Sequence, residues 1–380
     1  MHFVAAGALK VSADPTLRGI GVGGGYTNIV AAPPRWPQLN GLRAIAVMMV
    51  IWSHTMPGET LGGVRLFFVL SGFLITGVLL RRRDRDESLG DVLWTFYTRR
   101  ALRIFPAYFL LLLALIALDV PNVRADAWWY AGYLTNWLVT LRNAWPPATG
   151  HFWSLAVEEQ FYLVWPFLIL RTPRPALARA LVVVIGVALV ARSVLPFVTD
   201  SDIRIQVPTV VALDALGIGA VLALARHEGW SNLTTRVRQA GWLGVLLLVS
   251  VTLLGVTGRG FKVIVLVRPF ALALLSLWAV DACVRGIGGP VGRFLSASWV
   301  GWVGMVSYGI YLYHLPIVWA LHSRGWSLGP ALFAATIAAT FVAAALSWRY
   351  LERPLNDLKD RVARRSPSPL RRLRRSTELG

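Results

Sequence analysis

Apolar blocks about 17 to 25 residues long recur along most of this chain, joined by short connections that are often rich in arginine. That spacing leaves few folds open, because a helix of this length crosses the hydrocarbon of a bilayer while satisfying its own backbone. With 56% hydrophobic and only 15% charged residues, the 380-residue chain also has too little charge to cover a soluble surface of its size. The expected fold is therefore all-α, a polytopic membrane bundle of about ten transmembrane helices. The blocks place them near 40–57, 62–80, 101–119, 151–170, 177–195, 207–225, 240–256, 262–281, 299–320 and 329–348. Residues 126–140, DAWWYAGYLTNWLVT, read instead as an aromatic interfacial or re-entrant piece.

The basic residues set the expected orientation. They gather at RRRDRDE (81–87), at Arg99 and Arg100, at RTPR (171–174), at Arg226, Arg236, Arg238, Arg285 and Arg293, and in the tail beyond Arg353. The alternate connections are short or mixed in sign, so the positive-inside rule puts both termini in the cytoplasm, as an even helix count requires. The net charge of +19 is thus distributed around the spans, where it touches anionic headgroups of membrane lipids. It is not gathered on a polar domain of the kind that binds nucleic acid. A single cysteine, Cys283, excludes an intrachain disulfide. The expected organisation is a flexible cytoplasmic lead (1–39), one membrane domain (40–356) and a basic cytoplasmic tail (357–380). No cleavable signal stands out, since the first long apolar block is the first expected span.

Within the spans, charged residues are costly and point to function. In GLRAIAVMMVIWSH, Arg43 and His54 are eleven positions apart, which on a helix is about 16 Å along one face. A ligand with a phosphorylated head and a long thin reactive arm, such as a coenzyme A thioester, could anchor at Arg43 and bring its end to His54, whose imidazole can accept a proton. Alternatively, Arg43 anchors the helix at the headgroups and His54 is an interfacial histidine. Arg100 and Arg103 are one turn apart where the third helix is expected to begin, and suit phosphate or simple anchoring equally.

HFWSLAVEEQFYLVWP puts Glu158 and Glu159 about two turns into the fourth expected span. Adjacent helical residues diverge by about 100 degrees, so one carboxylate is expected to be catalytic and the other structural or acceptor-binding. His151 shares a face with Glu158, as do Ser154 and Tyr162. A glutamate that fixes the tautomer of His54 and stabilises its imidazolium is one expectation, and a structural network with Arg65, Ser154 or Tyr162 is the other. Ser71 in FFVLSGFLIT lacks a nucleophile-elbow context and reads as packing or binding. Asp214 is isolated in an apolar helix, and His314 in VSYGIYLYHLP belongs to a substrate wall or a packing network. His2, His227 and His322 read as terminal, solvated or interfacial. No spacing of His, Cys, Asp and Glu matches a dedicated zinc site, so no metal and no tightly bound cofactor is expected.

Taken in order, LNGLRAIAVMMVIWSH, FFVLSGFLIT, RRALRIFPAYF, HFWSLAVEEQFYLVWPF, VSYGIYLYHLP and WRYLERPL closely resemble the bacterial acyltransferase-3 family. Its members are integral O-acyltransferases that modify surface glycans and some secondary metabolites. The resemblance covers residues 40–356. It implies a bundle of about ten helices in the bacterial cytoplasmic membrane, with cytosolic acyl-CoA as donor and acetyl as the common acyl group. Arg43 and His54 match the first-helix signature, Arg100 and Arg103 match an R-x-x-R element, and Glu158 falls in the matched WSLAVE segment. Larger members carry a soluble hydrolase-like module after the membrane core, and this chain shows none there. Direct transfer to a hydroxyl of a glycan, glycolipid or macrolide is therefore the expected activity. Arg65 departs from the less basic residues of many relatives and points to acceptor recognition. The alternative is a transporter or flippase, against which the chain shows no duplicated helix pattern.

Overall fold

The computed structural model describes residues 36–58, 61–257 and 260–358, and every regular element in them is helical. Much of the expected lead and basic tail lies outside these residues. The first helix, α1 (Pro37–Thr55), starts with proline in its first turn, where the missing N–H costs nothing. It claims three residues, 37–39, that the sequence assigned to the lead. Gln38 fixes that end of α1 by donating to the Ile287 carbonyl (2.9 Å) and accepting from the Ile287 N–H (2.8 Å).

The helices α2 (Gly63–Asp84) and α3 (Leu89–Ala117) follow. The latter begins about three turns before the expected 101, because Ser88 caps it by accepting the Asp91 N–H and its first turns lie beyond the apolar block. Arg99, Arg100 and Arg103 consequently lie inside a continuous helix rather than at its start. Two short helices, α4 (Ala127–Ala131) and α5 (Thr135–Arg142), replace a span at 126–140, as the aromatic pattern predicts. Then come α6 (Phe152–Arg171), α7 (Arg174–Val198), the short α8 (Asp202–Gln206), α9 (Thr209–His227), α10 (Leu233–Val256) and α11 (Phe261–Arg285). α10 is 24 residues long, with polar first turns that a hydropathy reading from 240 leaves out.

The expected span 299–320 is broken. After α12 (Gly289–Ser296), α13 (Ser298–Met305) and α14 (Ser307–His322) meet at Val306 with a bend of 65°. Helix α15 (Pro330–Ser347) ends in a π-helical turn, Trp348–Glu352. Among the described residues, seven helices are long and apolar enough to cross a membrane, or eight if the bent pair is one span. The molecule is an all-α, multi-pass membrane bundle.

The helices α2 and α9 form its centre, with 67% and 72% of their apolar windows buried, whereas α7 (22%) and α10 (17%) lie at the edge. Valines 182, 183, 187, 190 and 194 and Phe197 give α7 an outward apolar face suited to lipid. Small residues let the central pair touch backbone to backbone. A Cβ at Gly72 would overlap the Leu216 carbonyl oxygen, and one at Gly219 would overlap that of Val69.

Candidate functional site

Beside α2 lies a cavity of about 70 Å³, to which α1 contributes Arg43, α2 Phe67, Phe68 and Ser71, and α3 Arg100 and Arg103. Ser154, Glu158, Glu159 and Tyr162 come from α6, and Ser307, Tyr308 and Tyr311 from α14. Ser71 donates to the Glu158 carboxylate (2.5 Å), and Tyr162 donates to the Ser71 hydroxyl (3.1 Å). The Arg100 guanidinium lies 4.2 Å from the centre of the Tyr162 ring, a cation–π contact. The Nε of Arg43 is buried with no hydrogen-bond partner among the described residues. Three guanidinium groups and two carboxyl groups thus share one small space. Such a surplus of directional donors suits an anionic ligand.

Glu352, which the sequence reading passed over, supports this wall. It is 5% exposed, accepts a hydrogen bond from Ser347 (2.8 Å), and lies within electrostatic reach of Arg103. Tyr313 in turn donates to Ser347 (2.9 Å). The available signal was an acidic residue closing WRYLERPL at the end of the last span.

His54 does not line this cavity. It belongs to a neighbouring cluster of three imidazoles from α1, the N-terminus of α6 and α14. The His54 and His314 rings are 5.0 Å apart by centroid, and those of His314 and His151 are 4.9 Å apart. Each ring has one nitrogen on a backbone carbonyl, which can only accept, so that nitrogen carries the proton. The bonds are His54 Nδ1 to Val50 (2.9 Å), His151 Nε2 to Leu312 (3.0 Å) and His314 Nδ1 to Tyr311 (2.5 Å). The other nitrogens of His151 and His314 are buried and have no partner among the described residues.

This geometry corrects the expected glutamate–histidine pairing. The Val50 carbonyl, one turn back on α1, fixes the tautomer of His54, while Glu158 takes the Ser71 hydroxyl. The shared face of α6 is real, but its residues serve different neighbours. Ser154 meets the Tyr311 hydroxyl (2.5 Å), which also donates to the His151 carbonyl (3.2 Å). These two hydroxyls join the arginine cavity to the histidine cluster. Both line the first and touch the second.

Arg65 and Asp214 lie elsewhere. Arg65 donates to Asp214 (2.7 Å), and Arg192 donates to the other oxygen of the same carboxylate (2.9 Å) and to the Val211 carbonyl. The Arg192 and Asp214 side chains are fully buried and that of Arg65 is 10% exposed. The triad ties α2, α7 and α9 together and does not line the cavity, so the departure at Arg65 serves packing between helices. Arg192 sits in an apolar run and was legible only as a charge out of place. Among the described residues, no group of three or more His, Cys, Asp or Glu is placed to hold a metal ion.

Residues 36–349 match the model of a family described as an acyltransferase domain. The chain is 30% identical over 350 residues to the peptidoglycan O-acetyltransferase OatA of Listeria monocytogenes, covering 84% of this chain and 55% of that protein. It is 30% identical over 348 residues to the putative peptidoglycan O-acetyltransferase YrhL of Bacillus subtilis (84% and 54%). To the O-acetyltransferase OatA of Staphylococcus aureus it is 28% identical over 353 residues (85% and 57%). The chain therefore spans about half the length of these relatives. No solved structure matches it.

Proposed function

We propose, from the premise that the chain belongs to the acyltransferase-3 family of membrane-bound acyltransferases, that it moves an acetyl group from acetyl-CoA to a hydroxyl of a peptidoglycan-type glycan. The observation that carries this reading is the convergence of Arg43, Arg100 and Arg103 on one cavity that adjoins the three-imidazole cluster. The acceptor class rests on the names of the similar proteins, and the donor on the cavity's surplus of guanidinium groups.

Ten spans are the natural count. To the seven apolar helices and the bent pair we add α1 and α6, of 19 and 20 residues, each about 30 Å long. Their polar residues are the ones that build the site. An even count and the arginine-rich connections put both termini in the cytoplasm, with the arginine cavity facing cytosolic donor.

In this scheme the arginines hold the phosphates of the donor, and Glu158, itself held by Ser71, balances their charge. Glu158 lies within electrostatic reach of both Arg43 and Arg100. A cavity of about 70 Å³ accepts the acyl end of a thioester but not the pantetheine arm too, so the donor widens it on entry. The acyl group comes to rest by Ser154 and Tyr311. His54 takes the acceptor's O–H proton at Nε2 while the oxygen attacks the thioester carbonyl, and the C–S bond then breaks. The leaving thiolate recovers the proton from Nε2. The step balances with no metal and no nucleotide hydrolysis.

The test is purified protein in liposomes, given labelled acetyl-CoA and muropeptide fragments, with product identified by mass. An acetylated glycan is expected. Transmembrane uptake of label without any covalent product would overturn the reading in favour of transport.

A further inference from the structure

A span that breaks inside a bundle frees amide groups that an unbroken helix would consume, and such breaks are tolerated where they face a cavity. At Val306 the helix stops and restarts with a bend of 65°. The first amide of α14 to find a backbone acceptor is that of Ile310, on the Val306 carbonyl (3.1 Å). The N–H groups of Ser307, Tyr308 and Gly309 make no backbone hydrogen bond among the described residues, and no side chain caps them. Glu352 lies alongside, its Oε1 3.1 Å from where a Cβ on Gly309 would stand, but the hydrogen bond it accepts comes from Ser347.

This helix start stands at the arginine cavity, whose wall includes Ser307 and Tyr308. The Ser307 side chain is a second and independent sign. The residue is 3% exposed, it lines the cavity, and its hydroxyl makes no hydrogen bond among the described residues. A hydroxyl so enclosed ordinarily has a partner. Amides at a helix start carry partial positive charge, and a hydroxyl beside them can donate as they do, so what the cluster lacks is a negatively charged acceptor. Position along α14 says which. Ser307, Tyr311 and His314 recur at helical spacing on one face. Tyr311 meets Ser154, where the acyl group comes to rest, and the His314 ring lies 5.0 Å from that of His54. From Ser307 to His314 the helix rises about 10 Å, which leaves room for one hydrogen bond at each end and, between them, the reacting carbon with its two oxygens.

We propose that the start of α14 is the oxyanion hole of the transfer step: the free N–H groups of Ser307 and Tyr308, with the Ser307 hydroxyl, stabilise the charge that develops on the thioester carbonyl oxygen. This rests on the acyl-transfer reading above. As the acceptor oxygen bonds to the carbonyl carbon, its proton passes to His54 Nε2 and the electron pair of the C=O π bond moves onto the oxygen that these donors hold. As the C=O bond re-forms, the C–S bond breaks, and the leaving thiolate takes the proton from His54. No oxidant, metal or further reactant enters. Donors fixed by a helix start, in a cavity lined by protein, need no reorganisation as the charge appears, which is why they count for more there than in water. Ser307 is on this account a catalytic residue.

The experiment compares the full chain as wild type, Ser307→Ala and Ser307→Thr in liposomes. Transfer is followed with acetyl-CoA and muropeptide fragments, and binding with two unreactive donors. One is S-ethyl-CoA, a thioether with no carbonyl, and the other is S-trifluoroacetonyl-CoA, a ketone whose hydrate is tetrahedral. Wild type should bind the ketone at least about 10²-fold tighter than the thioether. Ser307→Ala should lower kcat about 10²-fold at unchanged KM for acetyl-CoA, and should weaken the ketone by a similar factor while binding the thioether as wild type does. Ser307→Thr keeps the hydroxyl and should keep most of the rate. Equal affinity of wild type for the two analogues would overturn the proposal without recourse to any variant. So would a wild-type kcat in Ser307→Ala, or equal losses for both analogues, which are the sign of a general disturbance of the donor site. If wild type acetylates no hydroxyl, the acyl-transfer reading fails; the ratio of ketone to thioether affinity is measured without acceptor, so the two failures are told apart.

Discussion

Replacing Asp214 by asparagine should destabilise the bundle far more than replacing either arginine that it binds. In the native triad one carboxylate faces two guanidinium groups, at 2.7 and 2.9 Å, in a place closed to solvent. With charge centres about 4 Å apart and an effective dielectric near 20, each attraction is about 4 kcal/mol, while the arginines, about 7 Å from one another, repel by about 2.4 kcal/mol. Asp214→Asn removes both attractions and leaves two like charges buried, so a loss of at least about 3–5 kcal/mol is expected. Arg192→Met gives a different sum. It forfeits about 4 kcal/mol of attraction and removes about 2.4 kcal/mol of repulsion, and the remaining loss of about 1.6 kcal/mol is offset by relief of the desolvation cost of a buried ion. The Nε and Nη1 of Arg192 are already unpartnered among the described residues, so the one other bond lost is its donation to the Val211 carbonyl, worth about 1 kcal/mol. Arg192→Met should therefore be near neutral, with Arg65 and Asp214 remaining as a matched pair. Thermal unfolding of the detergent-solubilised variants, followed by loss of monodisperse protein, measures both. If Arg192→Met is as damaging as Asp214→Asn, the charge argument is wrong.

His54→Ala should lower acetyl transfer by about 10²- to 10⁴-fold while leaving thermal stability near that of wild type; retention of wild-type rates would exclude it as the base. Arg43→Ala and Arg103→Ala should raise KM for acetyl-CoA about tenfold yet change little for acetyl-pantetheine, which has no adenosine phosphates; equal effects on both donors would refute phosphate binding. Glu158→Gln should cost more activity than Glu159→Gln, because Glu158 holds Ser71 and lies near Arg43 and Arg100; paired initial-rate kinetics decide this. Gly72→Val should abolish recovery of monodisperse protein on size exclusion, since its side chain meets the Leu216 backbone rather than a movable rotamer.

The sequence carried the spans because hydrocarbon imposes its demand on each helix separately, and a run such as 177–195 answers it without help from the rest of the chain. The same local physics brought out Arg43, His54 and Glu158 as charges or imidazoles in apolar company. What it lacked was pairing. Arg65 and Asp214 lie 149 residues apart, and no helical period connects them. Depth along the spans points from His54 to the nearest acidic helix, whereas the neighbours that the fold supplies are a carbonyl one turn back and an imidazole on α14. Boundaries differ where polar turns extend a helix past its apolar block, as at Leu89, and where a break at Val306 leaves apolar composition unchanged.

The glycine seam between α2 and α9 bears on how this protein could be re-engineered. Backbone pressed against backbone at Gly72 and Gly219 fixes the position of α2, and with it the wall that Phe67, Phe68 and Ser71 present to the cavity. The opposite side is hung on interruptions: Pro106 inside α3, and the break ahead of α14, the two helices being latched by the Tyr308 hydroxyl on the Ile104 carbonyl (2.8 Å). Tolerance for longer acyl groups is therefore to be sought by changing Ile104 and Tyr308, whose side chains line the cavity beside these interruptions. Changes to the seam would dismantle the frame before they widened the door.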